Sequence, residues 1–361
     1  MTSCKPFTLF IIFSIILIPL FTFAKTADEN PAEEVFGKNF KLSVDPTSGT
    51  LSYNFSEKTN ELESIIAKMD VHLVSDKLSL DCDEFNFYAA TRKVDARGKR
   101  VSIVQETISS TCGHFIYDPN TGRSELLIDP IINNRDPKGQ ETTTSGDKII
   151  IEKQTNGDTL IQVEGHARLF SGKGSETTPQ FSQAPEPTQK MFGNEFEILT
   201  GENGEILYAF SQKNELRSIV ARKDVYITSD QINLRCDRLE YFSRKNKLLA
   251  MGKPVKIFQQ SILAECGRFE YYPTEGKSIL LENPVILSED EDGKTLETRG
   301  EEITIIQLEE GRTSILVKGK PEITAEEPQE EEPEEEPAKI SPSPVDETTV
   351  DLIKNLDIMQ D

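Results

Sequence analysis

Cys236-Asp237-Arg238-Leu239-Glu240-Tyr241-Phe242 is followed thirty residues later by Cys266-Gly267-Arg268-Phe269-Glu270-Tyr271-Tyr272. The same shift carries Lys247 to Lys277, Pro254-Val255 to Pro284-Val285 and Ile257 to Leu287. Earlier in the chain it carries Cys82 to Cys112, Phe85 to Phe115 and Phe87 to Tyr117. The segments alternate at the period of a strand: Ile232, Leu234 and Cys236 are separated by Asn233 and Arg235, and Val255 and Ile257 flank Lys256. Turn signals punctuate them at Asp118-Pro119-Asn120-Thr121-Gly122, Lys245-Asn246 and Pro273-Thr274-Glu275-Gly276. Each unit reads as strand, turn, strand and connection. Such a period is the signature of stacked β-rungs, and stacking predicts Cys82 beside Cys112 on neighbouring rungs.

The inner period sits inside a larger duplication. Met69-Asp70-Val71-His72-Leu73-Val74-Ser75-Asp76 returns as Lys223-Asp224-Val225-Tyr226-Ile227-Thr228-Ser229-Asp230, a displacement of 154 residues (223 − 69). Cys82 and Cys112 return as Cys236 and Cys266, and Gly146, Gly157 and Gly165 as Gly300, Gly311 and Gly319, all at that displacement. The copies are therefore whole structural units. A chain of 361 residues holds two domains of ordinary size. The expected division is lobe 1 at 36–169, a Ser/Gly/Pro/Thr-rich linker at 170–191 and lobe 2 at 192–323.

The net charge of −22 argues against nucleic acid as a partner, because phosphate binding needs clustered Lys and Arg. Much of that charge is local, since residues 326–339 hold eight Glu and one Lys. Residues 324–344 are expected to be a disordered Pro/Glu tail extended by self-repulsion. Residues 345–361 regain apolar spacing at Val350, Ile353, Leu356 and Ile358, which suits a short helix or a frayed tail. Residues 1–24 carry Lys5, an apolar run and Thr22-Phe23-Ala24, and read as a cleaved export signal. An uncleaved membrane anchor is the competing reading, since the run is near the lower length for spanning a bilayer. Either reading puts the body of the chain outside the cytoplasm, in the periplasm.

Four cysteines remain after the signal, an even number in an oxidising compartment. Duplication favours disulfides Cys82–Cys112 and Cys236–Cys266 among three pairings. Strands about 4.8 Å apart match the Cα separation of about 4.4 to 6.8 Å that a disulfide needs. Burial as small apolar thiols is the alternative. No metal is expected, because the neighbour of Cys112, His114, becomes Arg268 in the second copy.

The pattern Val-x-Ile-x-Ser-Asp, Cys-Asp-Arg-Leu-x-Tyr, Ala-x-Gly-x-Pro-Val-x-Ile, Gly-Arg-Phe-x-Tyr-Tyr and Leu-x-Asn-Pro-Val-Ile in 225–286 resembles the OstA-like, LptA-type domain. The resemblance covers both lobes and implies two tandem open β-jellyrolls. It also implies a non-enzymatic periplasmic carrier or bridge that holds lipopolysaccharide or a similar lipid in an apolar trough. Further implied partners are other OstA-like proteins, joined through exposed edge strands, and membrane transport components; no cofactor is implied. The trough lining would come from the alternating apolar positions Leu73, Leu80, Phe85, Phe87, Ile103, Phe115, Tyr117 and Ile128. In the second copy it would come from Ile227, Leu234, Leu239, Tyr241, Ile257, Phe269, Tyr271 and Leu281. For any one of these, plain core packing is the simpler role.

Two other functions compete with this one. A structural or assembly protein would use the sheet edges and acidic tail, and a packed interior would favour it. A glycan-acting enzyme on a β-solenoid would need acids that meet in space. The histidines do not repeat, for His72, His114 and His166 become Tyr226, Arg268 and Lys320. Asp81 and Asp83 become Arg235 and Asp237. No phosphate loop, paired metal-binding His or nucleophile elbow is present in the sequence.

Overall fold

The computed structural model describes residues 31–326 apart from 38, 77, 106–107, 137–138, 174–186, 260–261, 290–294 and 309–311. The expected signal and the expected terminal helix lie outside the described residues. The chain is all-β, as the alternation predicts.

The first copy consists of a short helix α1 (Pro31–Phe36) and twelve strands: β1 (Lys41–Ser43), β2 (Thr50–Phe55), β3 (Leu62–Val74), β4 (Ser79–Tyr88), β5 (Lys93–Gln105), β6 (Ile108–Asp118), β7 (Arg123–Leu127), β8 (Ile131–Arg135), β9 (Gln140–Ser145), β10 (Lys148–Lys153), β11 (Thr159–Glu164) and β12 (Arg168–Lys173). The second repeats the plan with α2 (Pro187–Phe192), β13 (Phe196–Leu199), β14 (Glu205–Phe210), β15 (Leu216–Ser229), β16 (Asn233–Phe242), β17 (Lys247–Gln259), β18 (Ile262–Tyr272), β19 (Lys277–Leu281), β20 (Val285–Glu289), β21 (Thr295–Arg299), β22 (Glu302–Gln307), β23 (Thr313–Lys318) and β24 (Glu322–Glu326). Residues 170–173 thus belong to β12 and 324–326 to β24, because their backbones find antiparallel partners in β9 and β21.

All pairing is antiparallel, and the long strands bend so that each serves two facing layers. The first layer runs β2, β3, β4, β5, β6, β7, β10, β11, β14, β15, β16, β17, β18, β19, β22, β23. The second runs β1, β3, β4, β5, β6, β8, β9, β12, β13, β15, β16, β17, β18, β20, β21, β24. The bend falls where the register shifts, between Lys68 and Val71 in β3 and between Arg222 and Val225 in β15. There Met69 and Asp70, and again Lys223 and Asp224, adopt positive φ. A bulge of this kind sharpens twist and turns a strand from one layer into the next.

Both layers pass through the boundary between copies without interruption. β11 pairs with β14 over six residues, from Thr159 opposite Phe210 to Glu164 opposite Glu205. β12 pairs with β13 from Arg168 opposite Leu199 to Ser171 opposite Phe196.

Register also corrects the cysteine pairing. The thirty-residue unit holds two strands, so equivalent residues lie two strands apart. Cys82 stands opposite Val71, Cys112 stands opposite Val101, and Asp81 beside Cys82 faces Ser102. Val101 therefore lies between the two sulfurs, which are separated by two strand spacings, about 9.6 Å. That exceeds disulfide reach. Cys82, Cys112, Cys236 and Cys266 are all free and buried.

Candidate functional site

Alternation turns one side chain in two toward the space between the layers, and register lines these up in rows. In the first layer one row runs Leu51, Ala67, Phe85, Ala96, Phe115, Leu126, Ile149, Val163 through the first copy. It crosses the boundary directly to Ile206, then continues Ala221, Leu239, Ala250, Phe269, Leu280, Ile303, Val317. Every member is apolar, and all from Ala67 to Ile303 are buried.

The facing row of the second layer runs Leu42, Leu73, Leu80, Ile103, Ser110, Ile132, Thr144, Leu169 and on to Ile198, Ile227, Leu234, Ile257, Ala264, Ile286. Thr144 is buried, and its hydroxyl lies 2.7 Å from the hydroxyl of Tyr208 on β14. That bond crosses the interior from layer to layer at the boundary. Burial pushes the ionisation of Tyr208 up, so its phenol stays neutral.

These rows collect most of the residues that alternation nominates. Leu73, Leu80, Phe85, Phe87, Ile103, Phe115, Ile227, Leu234, Leu239, Tyr241, Ile257 and Phe269 are buried, and Tyr117 and Tyr271 pack half-buried against them. Two are misplaced. Ile128 is 62% exposed. It sits at φ 66° at a strand corner, where its side chain covers the outer surface of Gly113 and its carbonyl accepts the Gly113 N–H. Leu281 faces Arg268 on the other side of the sheet, and the neighbouring Leu280 is the interior residue. A shift of one position reverses the face.

Two interior elements escaped the pattern. α1 places Ala32, Val35 and Phe36 in the core, with the Phe36 ring 5.9 Å from Phe85 and 5.4 Å from Phe87. α2 places Met191 and Phe192 there, with Phe192 5.2 Å from Tyr241. Gly37 and Gly193, at φ 93° and 87°, return N–H bonds to Glu33 and Gln189 and end each helix in the left-handed conformation that glycine allows. The signal was Val-Phe-Gly at 35–37 and Met-Phe-Gly at 191–193, hidden by a displacement of 156 in place of 154.

The interior opens near the last strands of the second copy. A cavity of about 260 Å³ is lined there by Ile232, Ile257, Ala264, Phe269, Tyr271, Leu280, Ile305 and Leu308, with Gln231, Gln307 and Arg312 among its polar neighbours. At the corresponding end of the first copy, Tyr208 and Phe210 of β14 are buried, 1% and 5% exposed. Among the described residues no strand follows β23 and β24 to do the same. No helix among them is long and apolar enough to cross a membrane.

No protein-family model and no curated protein matches the chain. Among solved structures it is similar to LptH, the LptA homologous periplasmic component of the conserved lipopolysaccharide transport device from Pseudomonas aeruginosa. Identity is 13% and the TM-score is 0.28, with 44% of this chain and 100% of that chain covered.

Proposed function

We propose that the chain is a non-enzymatic periplasmic carrier or bridge that binds lipopolysaccharide, or a related amphiphilic lipid, between its two layers. The observation that carries the reading is the apolar row that crosses from one copy to the other without a polar interruption. A core that served only to stabilise two separate lobes would end at the boundary. Acyl chains need such a continuous apolar path, and charged sugars would remain at the solvent rim. The cavity beside Phe269 and Leu280 is a point at which the path is accessible. Entry beside Phe85 or Tyr241 would require Phe36 or Phe192, which pack against them, to yield. Other OstA-like transport proteins are proposed partners at the exposed edges, where unpaired backbone groups accept another strand.

The near-complete burial of the row between Ala67 and Ile303 favours a second reading, an assembly protein whose interior is only a core. Photocrosslinking in cells separates the two. Photoreactive residues at Phe85, Phe115, Leu239 and Phe269 are expected to capture lipopolysaccharide, most readily at Phe269, while the outward Lys256 captures none. Absence of lipid at all four interior positions would select the assembly reading.

A further inference from the structure

The boundary between the copies is a joint whose two halves recur at the outer edges of the described sheet. Its C-terminal half, β11 and β12, corresponds to β23 and β24; its N-terminal half, β13 and β14, corresponds to β1 and β2. At the joint Ile161 faces Tyr208, Thr159 faces Phe210 and Leu169 faces Ile198. The outer equivalents are Ile315 with Tyr53, Thr313 with Phe55, and Ile323 with Leu42. Every position keeps its residue or exchanges Leu and Ile, yet Tyr53, Phe55, Ile315 and Ile323 are 50%, 54%, 43% and 69% exposed. The outer ends are thus two halves of one unmade joint.

Charge distinguishes the made joint from the unmade one. Ion pairs cross the boundary between Asp158 and Arg217, at 3.2 Å, and between Arg168 and Glu197, at 2.5 Å. Asp158 corresponds to Arg312, and Arg217 to Glu63; Arg168 corresponds to Glu322, and Glu197 to Lys41. All four signs are reversed together, and Lys41, Glu63, Arg312 and Glu322 are exposed. An outer end meeting an outer end restores both pairs with polarity exchanged. An outer end meeting an inner half opposes Asp158 to Glu63 and Arg168 to Lys41, or Arg312 to Arg217 and Glu322 to Glu197. Every wrong combination juxtaposes like charges.

We infer that Glu63, Arg312, Lys41 and Glu322 are specificity determinants for a second copy of this chain, which docks its β1–β2 edge on the β23–β24 edge with Glu63 beside Arg312 and Lys41 beside Glu322. The reversed signs permit the outer joint and reject exchange of halves between molecules, which duplicated edges would otherwise invite. The inference rests on the bridge reading and names its partner. Tyr53 and Phe55 would then close the open cavity, as Tyr208 and Phe210 close the first copy.

Sedimentation velocity of the full chain over a concentration series tests this. The wild type is expected to self-associate. Glu63→Arg or Arg312→Asp alone should weaken association about tenfold or more, because like charges then meet at the joint. The double variant Glu63→Arg/Arg312→Asp should recover it, which also excludes misfolding as the cause of the single effects. A monomeric wild type, single variants that associate normally, or a double variant without recovery would each overturn the inference. Lipid crosslinking read on the same proteins keeps the two proposals apart. Lipid capture by a monomeric chain would remove the joint alone, and self-association without capture would remove the lipid reading alone.

Discussion

At the scale of single residues, the cysteines show how far local pattern reaches. Alternation put Cys82, Cys112, Cys236 and Cys266 on the inner face, and they are there. Bonding between them was not legible, because it depends on counting strands within a repeat. Burial, with some help from Asp83 at Cys82, pushes the four thiols up to about 12, 11, 12 and 12 in chain order. Native protein is therefore expected to resist alkylation at pH 8 and to react at all four sites after denaturation, with identical gel mobility with and without reductant. A mobility shift on reduction would refute free thiols. Glu270 shows the opposite case, a buried carboxylate enclosed by charged and polar neighbours on the face of β18 opposite Phe269. Burial alone would raise its carboxyl, but Lys247 at 2.8 Å, the Tyr272 hydroxyl at 2.7 Å and Arg268 outweigh it and hold it at about 2, below the ordinary 4.5. A depressed carboxylate stabilises the fold fully above about pH 4.5, and that contribution disappears as pH falls toward 2. Glu270→Gln should cost about 1 to 3 kcal/mol at neutral pH and flatten the acid limb, read by urea denaturation between pH 2 and 6. The first copy has Ile116 at this position, so the repeat alone could not announce the network.

At the scale of elements, the strands were legible and the helices were not. Strands reveal themselves by a period of two sustained over ten or more residues. α1 and α2 are six residues each, too short to show a helical period. Their role lies in one inserted ring each, Phe36 and Phe192, and so is a fact of packing. Phe192 is fully buried against Phe196 at 4.5 Å and Tyr241 at 5.2 Å. Phe192→Ala should therefore destabilise by about 3 to 5 kcal/mol, the usual cost of an emptied aromatic site. An unchanged urea midpoint would show that the helix lies loosely on the interior. Where lipid enters between the layers, the same variant should also raise the crosslink yield at Tyr241, which Phe192 covers.

At the scale of the whole molecule, duplication becomes continuity. Each layer contains sixteen strand segments, which at about 4.8 Å apiece extend roughly 70 Å along the sheet. That length has the same origin as the cysteine correction, since one thirty-residue unit contributes two strands to a layer. The bridges across the boundary include two strand pairings, the Asp158–Arg217 and Arg168–Glu197 ion pairs, the Asn134–Asn214 amide bond and the Thr144–Tyr208 bond across the interior. Residue pattern alone dictates that the chain is all-β, that it is built twice on one plan, and which face of most strands turns inward. All three are local properties, written in the order of apolar and polar residues along the chain. Which strand lies beside which, where the apolar rows continue from copy to copy and where they open were decided only in the tertiary structure. Strands are joined by backbone N–H and C=O groups that are nearly the same at every residue, so a repeat can state its period without stating its neighbours.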